Sequence, residues 1–423
     1  MSHFHYQAGA LYAEQTPLTA IAQEIGTPCY VYSKAALLEN FAAYAQARKG
    51  HDSLICYSVK SNSNLAILNL LAQSGSGFDI VSGGELLRVL AAGGDPQKVI
   101  FSGVGKSRAE MQLALKHNVA CFNVESIAEL HRLNAVAGEM GCVAPISLRV
   151  NPNVDAKTHP YISTGLKENK FGIAFDDALA TYRLAHALPN LVVHGIDCHI
   201  GSQLLDDAPL LEALDRLIEL VDLLDTEGIH LQHLDIGGGL GICYEPGIEP
   251  VAISSYLEKF FARIDAWRSE KHGGKSIKIV FEPGRSIVGN VGVLLTTVEF
   301  LKPGELKNFA IVDAAMNDLM RPALYEAWHH VCPLQQREGE AQHYDIVGPV
   351  CESSDWLAKD RPLVLAEGDQ LALMSAGAYG MTMASNYNTR PRAAEVLVDG
   401  AQWQIVRQRE KTEDLFALES LSK

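Results

Sequence analysis

From about residue 54 to residue 282 the chain alternates short, β-rich apolar runs with amphipathic stretches. This alternation constrains the fold more than any other feature. The β-rich runs lie at 54–59, 77–81, 98–102, 120–124, 146–150, 191–199, 231–236 and 276–281. Between them, segments such as 84–92, 108–117, 127–138, 177–187, 209–227 and 253–271 carry apolar residues at helical spacing. Nearly continuous apolar strands separated by helices are how a parallel sheet covered on both faces reads. Eight such units over this span predict an α/β fold, a (β/α)8 TIM barrel. The competitor is a doubly wound sheet, which would carry G-x-G-x-x-G after an early strand and its chemistry at one switch point. No such glycine pattern is present, and distinctive residues end many of the strands.

After about Pro283 the pattern changes. The runs 291–300, 309–313, 343–347, 370–374, 395–398 and 403–409 are β-rich and separated by Gly, Pro and Asp-Gly turns, with few helical stretches between them. They predict a C-terminal antiparallel β-domain, which the strand-like opening segment 4–11 is expected to join. The expected division is a barrel over 29–282, with 1–28 and 283–423 forming the β-domain.

Composition narrows the function classes. The chain has 423 residues, 48% of them hydrophobic and 20% charged, which suits a globular protein with a sizeable core. A formal charge of −15 argues against a nucleic-acid or anionic-membrane surface. No apolar run reaches the roughly 20 residues that span a bilayer. The opening residues lack a basic stretch followed by an apolar one, so no signal peptide is expected. Eight cysteines are scattered without a C-x-x-C, which points to reduced thiols and a cytoplasmic location. The 15 histidines lack ligand spacing, and no metal is expected.

A barrel enzyme works at the C-terminal ends of its strands, so those positions can be read in order. They are Lys60, Asp79, Gly103, Glu125, Asn151, His199, Gly237–Gly239 and Glu282. Lys60 closes an apolar strand, where an ammonium group must reach water, find a partner or react with a carbonyl. Gly237, Gly238 and Gly239 leave backbone N–H groups bare, as a phosphate site or as a tight turn. Glu282 either holds a heterocyclic nitrogen protonated or pairs with Arg285, whose fork otherwise suits a carboxylate or phosphate. His199 offers a flat ring or a core histidine, and Ser202 a hydroxyl for a phosphate. Each residue alone has an ordinary explanation. Taken together, an amine, a phosphate cradle, a pyridinium partner and a flat ring describe a pyridoxal 5'-phosphate site.

With these residues in place the chain resembles the group IV, fold-type III pyridoxal-phosphate decarboxylases, and within them the branch acting on meso-diaminopimelate. The resemblance runs from about Phe4 to Val398. Its most specific stretches are 57–62 (YSVKSN), 159–172 (HPYISTGLKENKFG), 199–203 (HIGSQ), 235–239 (DIGGG), 282–285 (EPGR), 321–329 (RPALYEAWH), 348–355 (GPVCESSD) and 376–388. It implies an alanine-racemase-like barrel, a C-terminal β-domain contributing to the substrate site, and a homodimer with shared active sites. It implies Lys60 as the Schiff-base lysine and His199 against the cofactor ring. Asp79 also falls among the cofactor residues. Ser202, Gly237, Gly238, Gly239, Gly284 and Arg285 resemble the phosphate site, with Glu282 on the pyridine nitrogen. Arg285, Arg321, Tyr325, Glu352 and Tyr379 resemble substrate contacts, Tyr379 also near the phosphate. Cys351 resembles the acid that reprotonates the α-carbon, supplied by the partner subunit.

The residue chemistry agrees: arginines suit the distal carboxylate of such a substrate and Glu352 its distal ammonium. Small departures are Ser58, Ser61 and Ser354, where the family often has alanine, alanine and glycine. The nearest alternatives are related decarboxylases for ornithine, arginine or carboxynorspermidine, whose substrates lack that carboxylate. A racemase would be expected to lack GPVCES, and a non-catalytic cofactor-binding protein to lack the β-domain.

Overall fold

The computed structural model describes residues 3–48, 50–155, 169–271 and 277–422. The chain divides into two compact units, one of residues 40–242 and 250–286, the other of 1–39, 243–249 and 287–423.

The first unit is a closed parallel barrel of eight strands: β1 (Ser53–Ser58), β2 (Gly77–Ile80), β3 (Val99–Phe101), β4 (Cys121–Val124), β5 (Ala144–Asn151), β6 (Leu191–Asp197), β7 (His233–Asp235) and β8 (Lys278–Phe281). Neighbours pair in chain order, β8 pairs with β1, and β4 with β5, so the ring closes. A two-residue piece, Ile173–Ala174, adds to β5. The strands are apolar because both faces are covered, and Cys56, Ile100 and Val280 form one cluster in the interior.

Helices start where polar caps follow the strands. Asn64 Oδ1 accepts from Ala66 N at the head of Leu65–Gln73. Ser82 and Ser126 cap Gly83–Ala91 and Ile127–Met140 in the same way, and Ser107 forms a full capping box with Glu110. Each cap satisfies backbone donors left bare in a first helical turn. The βα loops are thereby held at the barrel end where Lys60 emerges.

The second unit is mostly sheet. Its main path runs Trp356–Leu363, Gln342–Val347, Asn308–Val312, Gly292–Lys302, Cys29–Ser33, Ala394–Asp399 and Gln402–Arg407; Gln370–Leu373 also pairs with Gly292–Lys302, and Val331–Pro333 with Gln370–Leu373. The expected antiparallel arrangement needs correction, because Asn308–Val312 pairs parallel with Gln342–Val347, and Ala394–Asp399 with Cys29–Ser33. In both cases a long connection separates the strands, which is what a parallel pairing requires. Cys29–Ser33, within the span expected for the barrel, is an inner strand of this sheet and is buried throughout. The opening residues form their own three-stranded sheet within this unit. Leu11, Leu18 and Ile21 pack against Val31, Val293, Leu295, Leu334 and Val396. At about 1.5–3 kcal/mol for each buried aliphatic side chain, this core ties the opening segment to the unit. Among the described residues, no helix is long and apolar enough to cross a membrane.

Candidate active site

Strand β1 ends at Ser58, and a single 3-10 turn, Val59–Ser61, turns Lys60 away from the strand. Its Nζ lies 2.6 Å from Asp79 Oδ2, on a side chain with no exposed surface. Register explains the meeting: Ser58 stands opposite Asp79 across β1 and β2, and its Oγ donates to the same oxygen at 2.7 Å. The amine itself is about one-third exposed (35%), so it is anchored by a buried anion yet open to a reactant.

Across the ring, Arg149 in β5 stands opposite Asp197 in β6, which stands opposite Asp235 in β7. Glu282 follows β8. Ligand oxygens of Asp197, Asp235 and Glu282 all lie within 4.8 Å of one another, and the three residues are buried. No donor reaches Asp197 Oδ1, Asp235 Oδ2, Glu282 Oε1 or Asp79 Oδ1. Burial first, and then the mutual repulsion of these carboxylates, push Glu282 and Asp197 well above the usual carboxylate range. Burial likewise pushes the Asp235 carboxyl up, to about 7, against the pull of the Gly237 N–H. An additional cationic N–H donor therefore has acceptors waiting for it at this point.

The glycine run follows β7. Gly237 and Gly239 have φ of +69° and +118°, in the region that favours glycine. A Cβ on Gly238 would lie 2.2 Å from the Glu282 carbonyl oxygen, and one on Gly237 2.5 Å from that of Cys198. Side chains are excluded here because neighbouring loop backbones close in on the run. Gly238 N donates to His199 Nδ1 at 3.3 Å, so that nitrogen is an acceptor. His199 keeps part of its surface open, while burial of the ring and the charges of Arg149 and Lys60 hold its imidazole well below the usual range, hence neutral. Arg149 is itself held by Glu125 at 3.2 Å and donates to the His199 carbonyl at 3.5 Å. Arg285 donates through Nε and Nη2 to Ser202 Oγ at 3.3 and 3.1 Å. A Cβ on Gly284 would meet Ser61 Oγ at 2.9 Å.

One end of the barrel thus gathers Lys60, Asp79, His199, Ser202, Gly237, Gly238, Gly239, Glu282, Gly284 and Arg285. The remaining candidates belong to the second unit. Arg321 is buried at the head of the short helix Arg321–Tyr325, and Tyr325 is half-buried. Tyr379 holds a left-handed backbone (φ 56°), uncommon for an aromatic residue. Cys351 and Glu352 are exposed; the Cys351 N–H donates to Asn388 Oδ1 at 3.3 Å, and Glu352 Oε1 accepts from the Tyr387 hydroxyl at 2.5 Å. Most of the 159–172 stretch, residues 159–168, lies outside the described residues. Asp197 and Arg149 were not singled out by sequence. Their signal was a charged residue in the last positions of an otherwise apolar strand.

The comparisons with known proteins agree with this geometry. Residues 34–289 match the family described as "Pyridoxal-dependent decarboxylase, pyridoxal binding domain". The chain is similar to a curated diaminopimelate decarboxylase of Vibrio cholerae, 61% identical over 100% of this chain and 99% of that one. One from Pseudomonas aeruginosa is 59% identical with the same coverage. Among solved structures, diaminopimelate decarboxylase from Helicobacter pylori complexed with L-lysine superposes with a TM-score of 0.90 at 44% identity, over 95% of this chain and 99% of that one. The M. jannaschii enzyme in co-complex with L-lysine gives 0.94 at 36% identity, over 99% and 98%. Matched over essentially its whole length by these relatives, the chain belongs to the diaminopimelate decarboxylase family of pyridoxal-dependent decarboxylases.

Proposed function

We propose that the protein decarboxylates meso-2,6-diaminopimelate to L-lysine and CO₂ with pyridoxal 5'-phosphate as cofactor, the last step of lysine biosynthesis. The observation that carries this reading is the convergence, on one barrel end, of an anchored amine, a glycine cradle and a buried carboxylate with a donorless oxygen. Those three features fit the aldehyde, phosphate and ring nitrogen of this cofactor. When bound, it supplies an electron-poor ring that takes up the electron pair left behind as CO₂ departs.

The side chains divide the remaining work. Lys60 is the amine that would hold the aldehyde of the cofactor, with Asp79 Oδ2 orienting its Nζ. Glu282 is the residue that would hold the ring nitrogen and keep it protonated, because a carboxylate buried among carboxylates gains from a cationic neighbour. His199, neutral, would lie against the ring face. Ser202, the backbone of Gly237–Gly239, and Gly284 with Arg285 hold the phosphate, with Tyr379 beside it. Arg285, Arg321, Tyr325, Glu352 and Tyr379 hold the substrate, the arginines taking carboxylate and Glu352 the distal ammonium. Cys351 returns the proton to the α-carbon, delivered from the partner subunit of a homodimer. In this reading the β-rich unit contributes to the substrate site and to the dimer interface, and the enzyme works in the cytoplasm on a small amino acid, with no nucleic acid or membrane involved.

The test is a substrate panel. Purified holoenzyme is expected to release CO₂ from meso-diaminopimelate and to form lysine in equal amount. Preferential turnover of ornithine or arginine would overturn the substrate assignment.

A further inference from the structure

Arg321 is only 6% exposed, so its guanidinium depends on neighbours. Its Nη1 lies 2.8 Å from His329 Nε2, and its Cζ sits 4.3 Å from the centre of the Tyr244 ring. His329 is fully buried, and its Nδ1 lies 2.8 Å from the Met374 carbonyl oxygen, just past strand Gln370–Leu373. Tyr244 also meets His329 edge-on, with ring centres 5.3 Å apart.

These contacts leave one protonation state for His329. A guanidinium only donates and a carbonyl only accepts. Nε2 must therefore carry the lone pair and Nδ1 the proton. The imidazole is neutral, which matters for what Arg321 can do: it fixes the guanidinium without cancelling its charge. A carboxylate in the same position would hold the arginine equally well but offset the charge a substrate anion needs. The Tyr244 face adds a second restraint of the same kind, since a ring attracts the cation through its quadrupole and adds no net charge.

We propose that His329, with Tyr244, is the positioning residue for specificity: it sets the rotation of the Arg321 guanidinium and so the direction from which it meets the carboxylate at the non-reacting end of the substrate. This rests on the reading of Arg321 as a substrate contact. Nothing in the resemblance assigns His329 or Tyr244 a role.

Two ligands separate a positioning effect from a general one. L-Lysine retains the distal carboxylate, and 1,5-diaminopentane is the same chain without it. Binding of each to the holoenzyme is read from the cofactor absorbance. In H329N the amide nitrogen sits near the Nδ1 position and retains the bond to Met374, but the acceptor for Arg321 is lost. In H329Q the amide oxygen comes near the Nε2 position and restores that acceptor. H329N is expected to weaken L-lysine about tenfold, the scale of one lost hydrogen bond to a charged group. It is expected to leave 1,5-diaminopentane within about twofold, and to raise KM for the substrate with little change in kcat. H329Q should recover most of the L-lysine affinity. If H329N fails to fold, Y244L, which releases the guanidinium from its other side, should give the same selective loss.

Equal weakening of both ligands, or no difference between H329N and H329Q, overturns the positioning role. R321M separates the two layers of the argument. It should remove most L-lysine affinity; if it does not, the substrate-contact reading fails and the inference fails with it. If R321M acts while H329N and Y244L are silent, the positioning role alone is wrong.

Discussion

Asp235 has no exposed surface, and desolvation, opposed by the Gly237 N–H and reinforced by nearby Asp79, moves its carboxyl from 3.8 up to about 7. An unfolded chain releases that proton near 3.8, whereas the folded one retains it to about 7. Between these values the native state binds more protons, so its stability falls as pH rises through the window; the contribution is fully present below about 4. The Asp235→Asn variant keeps an oxygen for the Gly237 N–H, which Oδ1 accepts at 2.8 Å, and has no proton to lose. In protein stripped of cofactor, its stability relative to the parent should rise from pH 4 to pH 7 and level off above, by an amount on the order of 4 kcal/mol. Urea unfolding across this range is the measurement, and a pH-independent difference between the two proteins would sink this account of the buried acid. Under the proposed function Glu282 would draw on the same repulsion, since a cationic ring nitrogen beside it would offset the charge of the neighbouring carboxylates.

Element packing decides where these side chains can meet, and the closest approach is that of the glycine run to the segment after β8. A Cβ on Gly238 would sit 2.2 Å from a backbone oxygen that no rotamer change can move. Gly238→Ala should therefore push the two loops apart, cost about 1–3 kcal/mol as overpacking does, and weaken cofactor binding at least about tenfold. Gly105→Ala, with no atom within 4 Å of the added carbon, is the control and should change neither the melting temperature nor a cofactor titration. A Gly238→Ala protein that binds cofactor normally would mean the cradle is looser than its geometry implies. The barrel strands were legible because strands covered on both faces appear as apolar runs, and β1 to β8 fall on the expected segments within a few residues. Trp356–Leu363 was hidden for the opposite reason. It lies at the edge of its sheet, and its exposed positions hold Lys359, Asp360 and Pro362, which read as a loop. The boundary expected at residue 29 puts Cys29–Ser33 with the barrel, because nothing local tells which of two sheets a buried strand joins. Lys60, the glycines and Glu282 were legible through their unusual residue types at strand ends, whereas Asp197 was masked by being counted inside its strand.

At the scale of the whole molecule the residues proposed for catalysis are divided between the units: Lys60 lies in the barrel unit, and Cys351 and Glu352 lie in an exposed stretch of the β-rich unit before Trp356–Leu363. A thiol that returns a proton to carbon needs a site from which bulk water is excluded, so an exposed Cys351 has to be covered when it acts. A second copy of the chain is the proposed cover, and two-fold symmetry would then build two identical sites, each using Lys60 from one protomer and Cys351 from the other. Lys60→Ala and Cys351→Ala proteins should each be nearly inactive. After subunit exchange about half of the dimers are mixed, and each mixed dimer holds one site with both residues native and one with neither. The mixture should therefore recover roughly a quarter of the parent activity. Differently tagged chains establish that exchange has occurred, and CO₂ release from meso-diaminopimelate gives the activity. If verified mixed dimers show no more activity than the two parents, Lys60 and Cys351 act within one chain. The β-rich unit would then serve its own barrel rather than its neighbour's.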